Sequence, residues 1–297
     1  MGMGRDLAER FPAARDTFQA IDAALEMPLS RIMFEGPEEE LTATQNAQPA
    51  ILAHSAAVFA VVATKVRHAA AAVGHSLGEY TAYVTTGALA ATEAAKLVHR
   101  RGELMNKAGM ERRGTMAAVL GLPSAEVEAA CSAASTGGGV VVAANLNAPD
   151  QTVISGDPDA VLKAGEACKA RGAKRVMPLK VSGAFHSPLM APAANALRLA
   201  LDRAQFGDMA FPVIANATAE IVKEAARARR TLADQLTAPV RWVECMKRAA
   251  EVAGEGVRFI EIGPGAVLAG LLRRIVPSAE VVSLGSAAEV AAFLETA

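Results

Sequence analysis

The sequence of 297 residues predicts an α/β fold, and three observations support this. Short apolar stretches alternate with amphipathic helical patterns, which indicates a parallel sheet covered by helices on both faces. A G-x-S-x-G pentapeptide at residues 74–78 lies between the apolar run 69–73, a predicted strand, and a helical pattern, as expected at a strand-to-helix turn. From residue 113 the order becomes strand, helix, strand, strand, helix, strand, which is typical of a ferredoxin-like unit.

Helical patterns dominate before residue 113. The predicted helices begin near residue 5, run from about 48 to 67, follow the pentapeptide to about Gly87, and run from Thr92 to about 108. The dipeptide Thr92-Glu93 is a suitable helix start, and Gly109 is predicted to end that helix.

The next elements are predicted to form a separate unit. They are strand 115–120, helix 124–134, strands 140–144 and 152–155 around a turn at 145–151, helix 158–170 and strand 175–181. We therefore expect residues 113–183 to form a ferredoxin-like small subdomain, inserted into a larger subdomain made of residues 1–112 and 184–297. In the second part of the larger subdomain we expect a helix from about 188, a strand at 211–215, a helix around 231, a strand at 257–262 and the segment 266–275.

Composition limits the function classes. Hydrophobic residues make up 52%, much of it Ala, and the longest apolar run, 50–63, is predicted to be too short and too weakly apolar to span a membrane. The 30 basic and 31 acidic side chains nearly cancel, so nucleic acid is not an expected partner. The three cysteines, Cys131, Cys168 and Cys245, have no metal-ligand spacing, and we expect a reducing cytoplasm, no targeting segment or lipid anchor, and no bound metal.

Ser76 is the candidate nucleophile, because a G-x-S-x-G turn presents its serine hydroxyl into a pocket. The flanking glycines, Gly74 and Gly78, are expected to remove Cβ atoms that would collide in the tight turn. Backbone N–H groups at the start of the following helix point to the same place and would stabilise an oxyanion. The alternative is a Gly-rich turn capped by a serine.

His186 is the candidate general base among five histidines. It lies in a loop after the last strand of the small unit, at the predicted junction of the subdomains, and pockets form at such junctions. A loop histidine with a purely structural role is the alternative. His75 lies inside the turn, so its side chain must point away from that of Ser76.

Arg101 carries information about the substrate. It lies on the apolar stripe of its helix, four residues from Leu97 and three from Leu104, so it is expected to point inward. A buried guanidinium requires an anion, and its planar fork suits a carboxylate. That anion is either a protein acid such as Glu79, or a free carboxylate on the substrate.

Several stretches together resemble malonyl-CoA:acyl carrier protein transacylases and the acyltransferase domains of polyketide synthases. They extend over nearly the whole chain and are residues 46–50, 74–80, 101–102 with Met105, 183–190, 235–236 with 239–242, and 261–265. The resemblance implies an α/β-hydrolase-like large subdomain with a ferredoxin-like insertion. It implies no cofactor apart from the CoA thioester, which is the substrate.

The resemblance also implies roles for individual residues. Ser76 would be the nucleophile, His186 the base, and the backbone carbonyl of Gln235 would orient the histidine. Arg101 would pair with the malonyl carboxylate, and Phe185 would crowd the α-carbon and disfavour methylmalonyl. Met105 and His75 are expected at the substrate site, and the partners would be malonyl-CoA and acyl carrier protein. We expect a monomer.

The N-terminus departs from the family pattern. Family members begin with a short strand and a Gly-Gln-Gly-Ser-Gln loop whose first glutamine supplies an oxyanion donor, whereas this chain starts at Met1-Gly2-Met3-Gly4. Only the Leu77 backbone N–H can then be assigned to the oxyanion. The expectation is a start site placed too far downstream, or a truncated sequence.

Two other functions remain open at this stage. A serine esterase or thioesterase would use Asp150 or Asp157 as the triad acid before His186. A catalytically inactive module that binds a carrier protein is the third reading. Neither the pathway, fatty-acid or polyketide, nor the exact acyl group follows from the sequence.

Overall fold

A computed structural model describes residues 1–136 and 138–296. Gly137 and Ala297, which fall within the predicted subdomain ranges, lie outside the described residues. The helices that precede the first strand are α1 (Arg5–Arg10), α2 (Pro12–Leu25), α3 (Leu29–Glu35), α4 (Glu38–Thr42), α5 (Thr44–Val66), α6 (Gly78–Thr85) and α7 (Ala91–Glu111). The predicted helices of this part are present, but α2, α3 and α4 subdivide a region that the sequence patterns did not resolve.

The helices α5 and α7 pack closely, and this contact positions part of the site. A Cβ atom on Gly102 of α7 would lie 2.7 Å from the Cα of Gln45, so only glycine permits this approach. Gly109 was predicted to end α7, which is wrong, because the helix continues to Glu111. A Cβ atom on Gly109 would lie 2.1 Å from the Ser182 carbonyl oxygen. The absence of a side chain there lets the loop that carries His186 lie directly against α7.

The middle of the chain forms an antiparallel sheet with two helices. Its elements are β1 (Thr115–Leu120), α8 (Ser124–Ala134), β2 (Val141–Ala148), β3 (Gln151–Gly156), α9 (Pro158–Ala170) and β4 (Arg175–Pro178), and the strand order is β2-β3-β1-β4. Buried side chains of β1, β3, α8 and α9 form one apolar cluster that includes Val119, Ile154, Val127 and Val161.

Two boundaries in this unit differ from the prediction by more than one residue. The turn predicted at 145–151 is mostly strand, since β2 continues to Ala148 through two register shifts and only Pro149 and Asp150 form the turn. Such irregularities hide the alternating pattern from which strands are recognised. The last strand ends at Pro178, not at 181.

The remaining elements return to the N-terminal helices. They are a 3₁₀ turn (Pro188–Met190), α10 (Ala191–Arg203), β5 (Val213–Ile214), β6 (Ile221–Val222), α11 (Ala225–Asp234), α12 (Trp242–Ala253), β7 (Arg258–Ile262), α13 (Val267–Ile275), β8 (Glu280–Leu284) and α14 (Ala287–Glu295). The largest apolar cluster joins α2, α5, α7 and α10 with β5 and α14. The sequence patterns did not predict β8 and α14.

The predicted parallel sheet of this part is present only as small pieces. In the predicted strand 69–73, Ala72 makes one parallel bridge to Val213, and β7 pairs with β8 in parallel. A cavity of about 640 Å³, lined mainly by apolar side chains, lies between residues 69–73 and β7. The two pairs therefore do not join into one continuous sheet in the described residues.

The helix α5 is longer than the apolar run from which it was predicted. Its 23 residues have a mean hydropathy of 1.6 over the most apolar window, so by length and composition it passes a test for a membrane span. The prediction that this run is too short and too weakly apolar was wrong on that measure. More than half of that window, 56%, is buried inside the protein, where α5 packs on α2 and α7. Core helices pass the same test.

Candidate active site

Ser76 lies in a strained turn just before α6. Its φ angle is +53°, in the left-handed region that side chains other than glycine seldom adopt. Gly74 is required here, because a Cβ atom on it would lie 1.9 Å from the Gly78 carbonyl oxygen. The expectation that both flanking glycines relieve a collision was wrong for Gly78, whose Cβ atom would meet nothing within 4 Å.

The predicted base, His186, lies within hydrogen-bond distance of the predicted nucleophile, Ser76. His186 Nε2 lies 2.8 Å from Ser76 Oγ, and His186 Nδ1 lies 2.9 Å from the backbone oxygen of Gln235. A carbonyl oxygen only accepts, so Nδ1 carries the proton and Nε2 presents its lone pair to the serine hydroxyl. This tautomer is the one that a general base requires.

Burial and a neighbouring cation keep this base neutral. Burial is the larger cause and the Arg101 guanidinium the second, and together they lower the pKa of His186 from 6.5 to about 3. The ring is 4% exposed, so the imidazolium would have little solvent to stabilise it. At neutral pH His186 is therefore unprotonated, as a general base must be before the reaction.

Arg101 reaches the same serine from α7. Its Nη2 donates to Ser76 Oγ at 3.0 Å and to Gln235 Oε1 at 3.1 Å, and its Nη1 donates to Gln48 Oε1 at 2.5 Å. The side chain is 1% exposed, and Nε has no acceptor among the described residues. This confirms that Arg101 points inward.

The described residues place no carboxylate within ion-pair distance of Arg101. Glu79, the protein acid considered from the sequence, is fully buried nearby, but its Oε2 accepts hydrogen bonds from Asn216 N and Gln235 Nε2. A buried guanidinium with only neutral acceptors is costly unless an anion reaches it. The site is thus suited to a ligand that carries a carboxylate.

The other predicted residues lie at different distances from this centre. Met105 lies one helical turn beyond Arg101, and its Sδ accepts a hydrogen bond from Gln48 Nε2 at 3.4 Å. Phe185 is half-buried directly before His186 and packs against two apolar clusters. The ring of His75 points towards Asn147 Oδ1 at 2.8 Å and packs edge-on against Trp242, which are structural contacts.

One backbone donor is available at the turn. The Leu77 N–H has no acceptor among the described residues, whereas the Ser76 N–H donates to Asn216 Oδ1 at 2.7 Å. Leu77 lies at the N-terminus of α6, where the helix dipole favours negative charge. An oxyanion at Ser76 can therefore use the Leu77 N–H.

Both acids considered for a hydrolase triad are engaged elsewhere. Asp150 pairs with Arg274, and Asp157 pairs with Arg112 at 3.0 Å. Since the Gln235 carbonyl occupies the position next to His186 Nδ1, neither acid orients the base. Across residues 1–136 and 138–296, no group of three or more His, Cys, Asp or Glu side chains is arranged to hold a metal ion.

Sequence reasoning missed three residues that contact this centre: Gln48, Asn216 and, in its observed role, Glu79. Asn216 follows directly on the strand predicted at 211–215, and polar residues after strands of an α/β sheet often face the site. That signal was present in the sequence. Gln48 lies in the polar first turns of α5, within the stretch 46–50 that carries the family resemblance, but no role was assigned to it there, and its contact with Arg101 identifies one.

Comparisons with known proteins agree with this geometry. The family described as acyl transferase domain matches residues 1–294. The malonyl CoA-acyl carrier protein transacylase of Bacillus subtilis is 44% identical over 276 residues, which are 93% of this chain and 86% of that protein. The chain belongs to the acyl transferase family.

Other members of the family extend the match. The malonyl CoA-acyl carrier protein transacylase of Escherichia coli K12 is 40% identical, with 99% of this chain and 95% of that protein covered. The structure of an acyl carrier protein S-malonyltransferase from Vibrio cholerae superposes with a TM-score of 0.94 at 39% identity, over 99% of this chain and 95% of that chain. The structure of a malonyl-transacylase in complex with its type II PKS acyl-carrier protein superposes with a TM-score of 0.93 at 41% identity, over 99% of this chain and 95% of that chain.

Proposed function

We propose that this protein transfers a malonyl group from malonyl-CoA to the phosphopantetheine thiol of acyl carrier protein, through a malonyl ester of Ser76, and so supplies units for fatty-acid synthesis. The observation that carries the proposal is the Arg101 guanidinium, buried without a carboxylate partner and 3.0 Å from the Ser76 hydroxyl. The relatives named above as malonyl transacylases support the choice of acyl group and carrier.

The first half-reaction forms the ester. His186 Nε2 takes the proton of Ser76 as Oγ attacks the thioester carbonyl carbon, and the oxyanion accepts a hydrogen bond from the Leu77 N–H. Collapse of the tetrahedral intermediate breaks the carbon–sulfur bond, and the imidazolium returns its proton to the departing CoA thiolate. The Gln235 carbonyl holds the ring in one tautomer throughout.

The second half-reaction runs the same steps in reverse with a different thiol. His186 deprotonates the phosphopantetheine thiol, which attacks the malonyl ester, and Ser76 leaves with the proton that His186 returns. Arg101 holds the carboxylate in both halves, so only the thiol carrier changes. Ping-pong kinetics follow from this scheme.

The finer assignments follow from the family resemblance and the element order. Residues 1–112 and 184–297 form the α/β-hydrolase-like subdomain, and residues 113–183 form the ferredoxin-like subdomain. Phe185 crowds the acyl α-carbon beside His186 and selects malonyl over methylmalonyl, with Met105 and His75 supporting the substrate site. The protein acts as a cytoplasmic monomer.

Intact-mass measurement after incubation with malonyl-CoA tests the proposal. We expect a malonyl adduct on the wild-type chain, no adduct on Ser76→Ala, and loss of the adduct when acyl carrier protein with its phosphopantetheine is added. Rapid release of free malonate without a carrier would support a thioesterase instead. A wild-type chain that never acquires the adduct would support a binding module and overturn the transfer.

A further inference from the structure

The backbone of Ser76 is held on both sides by side-chain amides. Its N–H donates to Asn216 Oδ1 at 2.7 Å, and its carbonyl accepts from Gln235 Nε2 at 3.0 Å. A backbone N–H only donates and a carbonyl only accepts, so these contacts also set the orientation of each amide. The nucleophile is therefore held in its left-handed conformation from outside its own turn.

The Asn216 side chain also holds the residue that begins the turn. Its Nδ2 donates to the Gly74 carbonyl at 2.8 Å, while its own backbone carbonyl accepts from Arg241 N at 3.1 Å. Asn216 is 0% exposed. All of its polar groups are used, and two of them connect the 74–76 backbone to the segment that follows β5.

Glu79 connects the backbone of Asn216 with the side chain of Gln235. A single oxygen, Oε2, accepts from the Asn216 backbone N–H at 3.0 Å and from Gln235 Nε2 at 2.7 Å, while Oε1 has no partner among the described residues. Gln235 also supplies the carbonyl that orients His186. One buried carboxylate thus connects the support of the nucleophile with the support of the base.

We propose that Asn216 and Glu79 are positioning residues for acyl transfer, which hold Ser76 in its left-handed conformation and keep the Gln235 carbonyl aligned with His186. Neither residue has a polar contact with Ser76 Oγ, so both act through the Ser76 backbone and Gln235. The inference rests on the proposed function for its kinetic effect and on the geometry of the turn for its structural effect.

The variants Asn216→Ala and Glu79→Ala test the proposal. Each is expected to lower the single-turnover rate of Ser76 malonylation about 100-fold, the effect of misplacing a reacting group by about 1 Å. The KM for malonyl-CoA should change less than the rate, because Arg101 keeps its hydrogen bond to Gln48, which touches neither Asn216 nor Glu79. In a crystal structure of Asn216→Ala, Ser76 should leave the left-handed region, or its Oγ should leave hydrogen-bond distance of His186 Nε2.

Two further variants separate positioning from folding. In Glu79→Gln the amide oxygen can replace Oε2 and accept both hydrogen bonds, so the malonylation rate should stay within about threefold of the wild-type rate. Stability should fall, because the amide N–H₂ group would occupy the position of Oε1, where it finds no acceptor. Glu261→Ala is the matched control, since its carboxylate also accepts two backbone N–H groups, those of Leu268 and Ala269, but touches none of these residues. It should lose stability and keep its rate.

An unchanged malonylation rate in Asn216→Ala, or an equal loss of rate in Glu261→Ala, would overturn the inference. A wild-type chain without any malonyl adduct would instead overturn the proposed function. In that case the Ser76 φ angle and the Oγ–Nε2 distance in the Asn216→Ala crystal structure still decide the inference, since neither depends on the substrate.

Discussion

Arg101 donates a hydrogen bond from Nη2 to the Ser76 hydroxyl at 3.0 Å, so the buried cation touches the proposed nucleophile directly. In a malonyl ester the free carboxylate is separated from the reacting carbonyl by a single carbon. A guanidinium this close to Oγ is within reach of that carboxylate both before and after the ester forms. In the proposed reaction, the same contact links substrate recognition to the chemistry at Ser76.

Arg101→Ala should lower kcat/KM for malonyl-CoA by roughly 100-fold or more, since removing one partner of a buried charge pair typically costs about 2–5 kcal/mol. The preference for malonyl over acetyl donors should fall by a similar factor, because acetyl lacks the carboxylate. Competition between the two thioesters measures this ratio. Arg100→Ala is the matched control, since Arg100 is exposed on the same helix and pairs with Glu103. A preference retained in Arg101→Ala would contradict the role of the guanidinium.

The basicity of His186 should respond to the charge on Arg101. Burial and the guanidinium lower the pKa of His186 to about 3, so Arg101→Gln should raise it, although burial will still keep it below 6.5. A bound carboxylate should act in the same direction by offsetting the cation. Titration of labelled histidine rings by NMR, with the signal assigned through His186→Gln, measures the change. An identical titration in wild type and Arg101→Gln would argue against this coupling.

The lowered pKa of His186 should make the free energy of unfolding decrease as the pH falls. Between about pH 6.5 and 3 the unfolded His186 binds a proton that the folded ring does not, so its contribution to stability is complete above 6.5 and is lost as the pH falls.

Titration of Glu79 should change stability with pH in the direction opposite to that of His186. Burial raises the pKa of Glu79 to about 7, so between about pH 4.5 and 7 the folded protein holds a proton that the unfolded chain has released. Stability should therefore fall by up to about 3 kcal/mol as the pH rises through this window. Glu79→Gln removes the titration. Urea denaturation at pH 5, 6 and 7.5 should show a smaller fall in the free energy of unfolding for this variant than for the wild type. An equal pH dependence of the two proteins would contradict the raised pKa of Glu79.

Replacing each of the two glycines of the turn with alanine should have very different effects on stability. Gly74→Ala places a Cβ atom 1.9 Å from a backbone oxygen and should destabilise the protein by about 3 kcal/mol, because a backbone atom cannot move aside cheaply. Gly78→Ala meets open space at the start of α6 and should be neutral or stabilising by about 0.5–1 kcal/mol. Thermal denaturation compares the two variants. Equal effects would mean that the turn does not need its close approach.

Phe185→Ser should relax the choice of acyl group. Space for one extra methyl group is worth about 1–3 kcal/mol, so kcat/KM for methylmalonyl-CoA relative to malonyl-CoA should rise about 10-fold or more. Phe185→Leu keeps much of the side-chain volume and serves as the control. An unchanged ratio in Phe185→Ser would place the determinant of selectivity at another residue.

Local patterns identified the elements whose signals are complete within a short window. Strand 115–120 and helices 124–134 and 158–170 were predicted with the observed bounds, because each has a regular pattern and clear turn residues at its ends. The strand predicted at 140–144 is present, but its continuation to Ala148 was missed because the register shifts break the alternation. Gly109 read as a helix stop, yet its function is to admit Ser182, a contact 73 positions away that no local window contains.

The sequence by itself determined the pentapeptide at Ser76 and the inward face of Arg101, because each depends on residue types at short, regular spacings. It also determined the family, because matching stretches occur along nearly the whole chain. The tertiary structure alone decided that Arg101 meets neutral acceptors and not Glu79, and that Asn216 and Gln235 hold the Ser76 backbone. The contacts of Gln235 with Arg101 and of both side-chain amides with Ser76 join segments more than 130 residues apart. Their distances follow from how helices and strands pack, which no short-range pattern in the chain records.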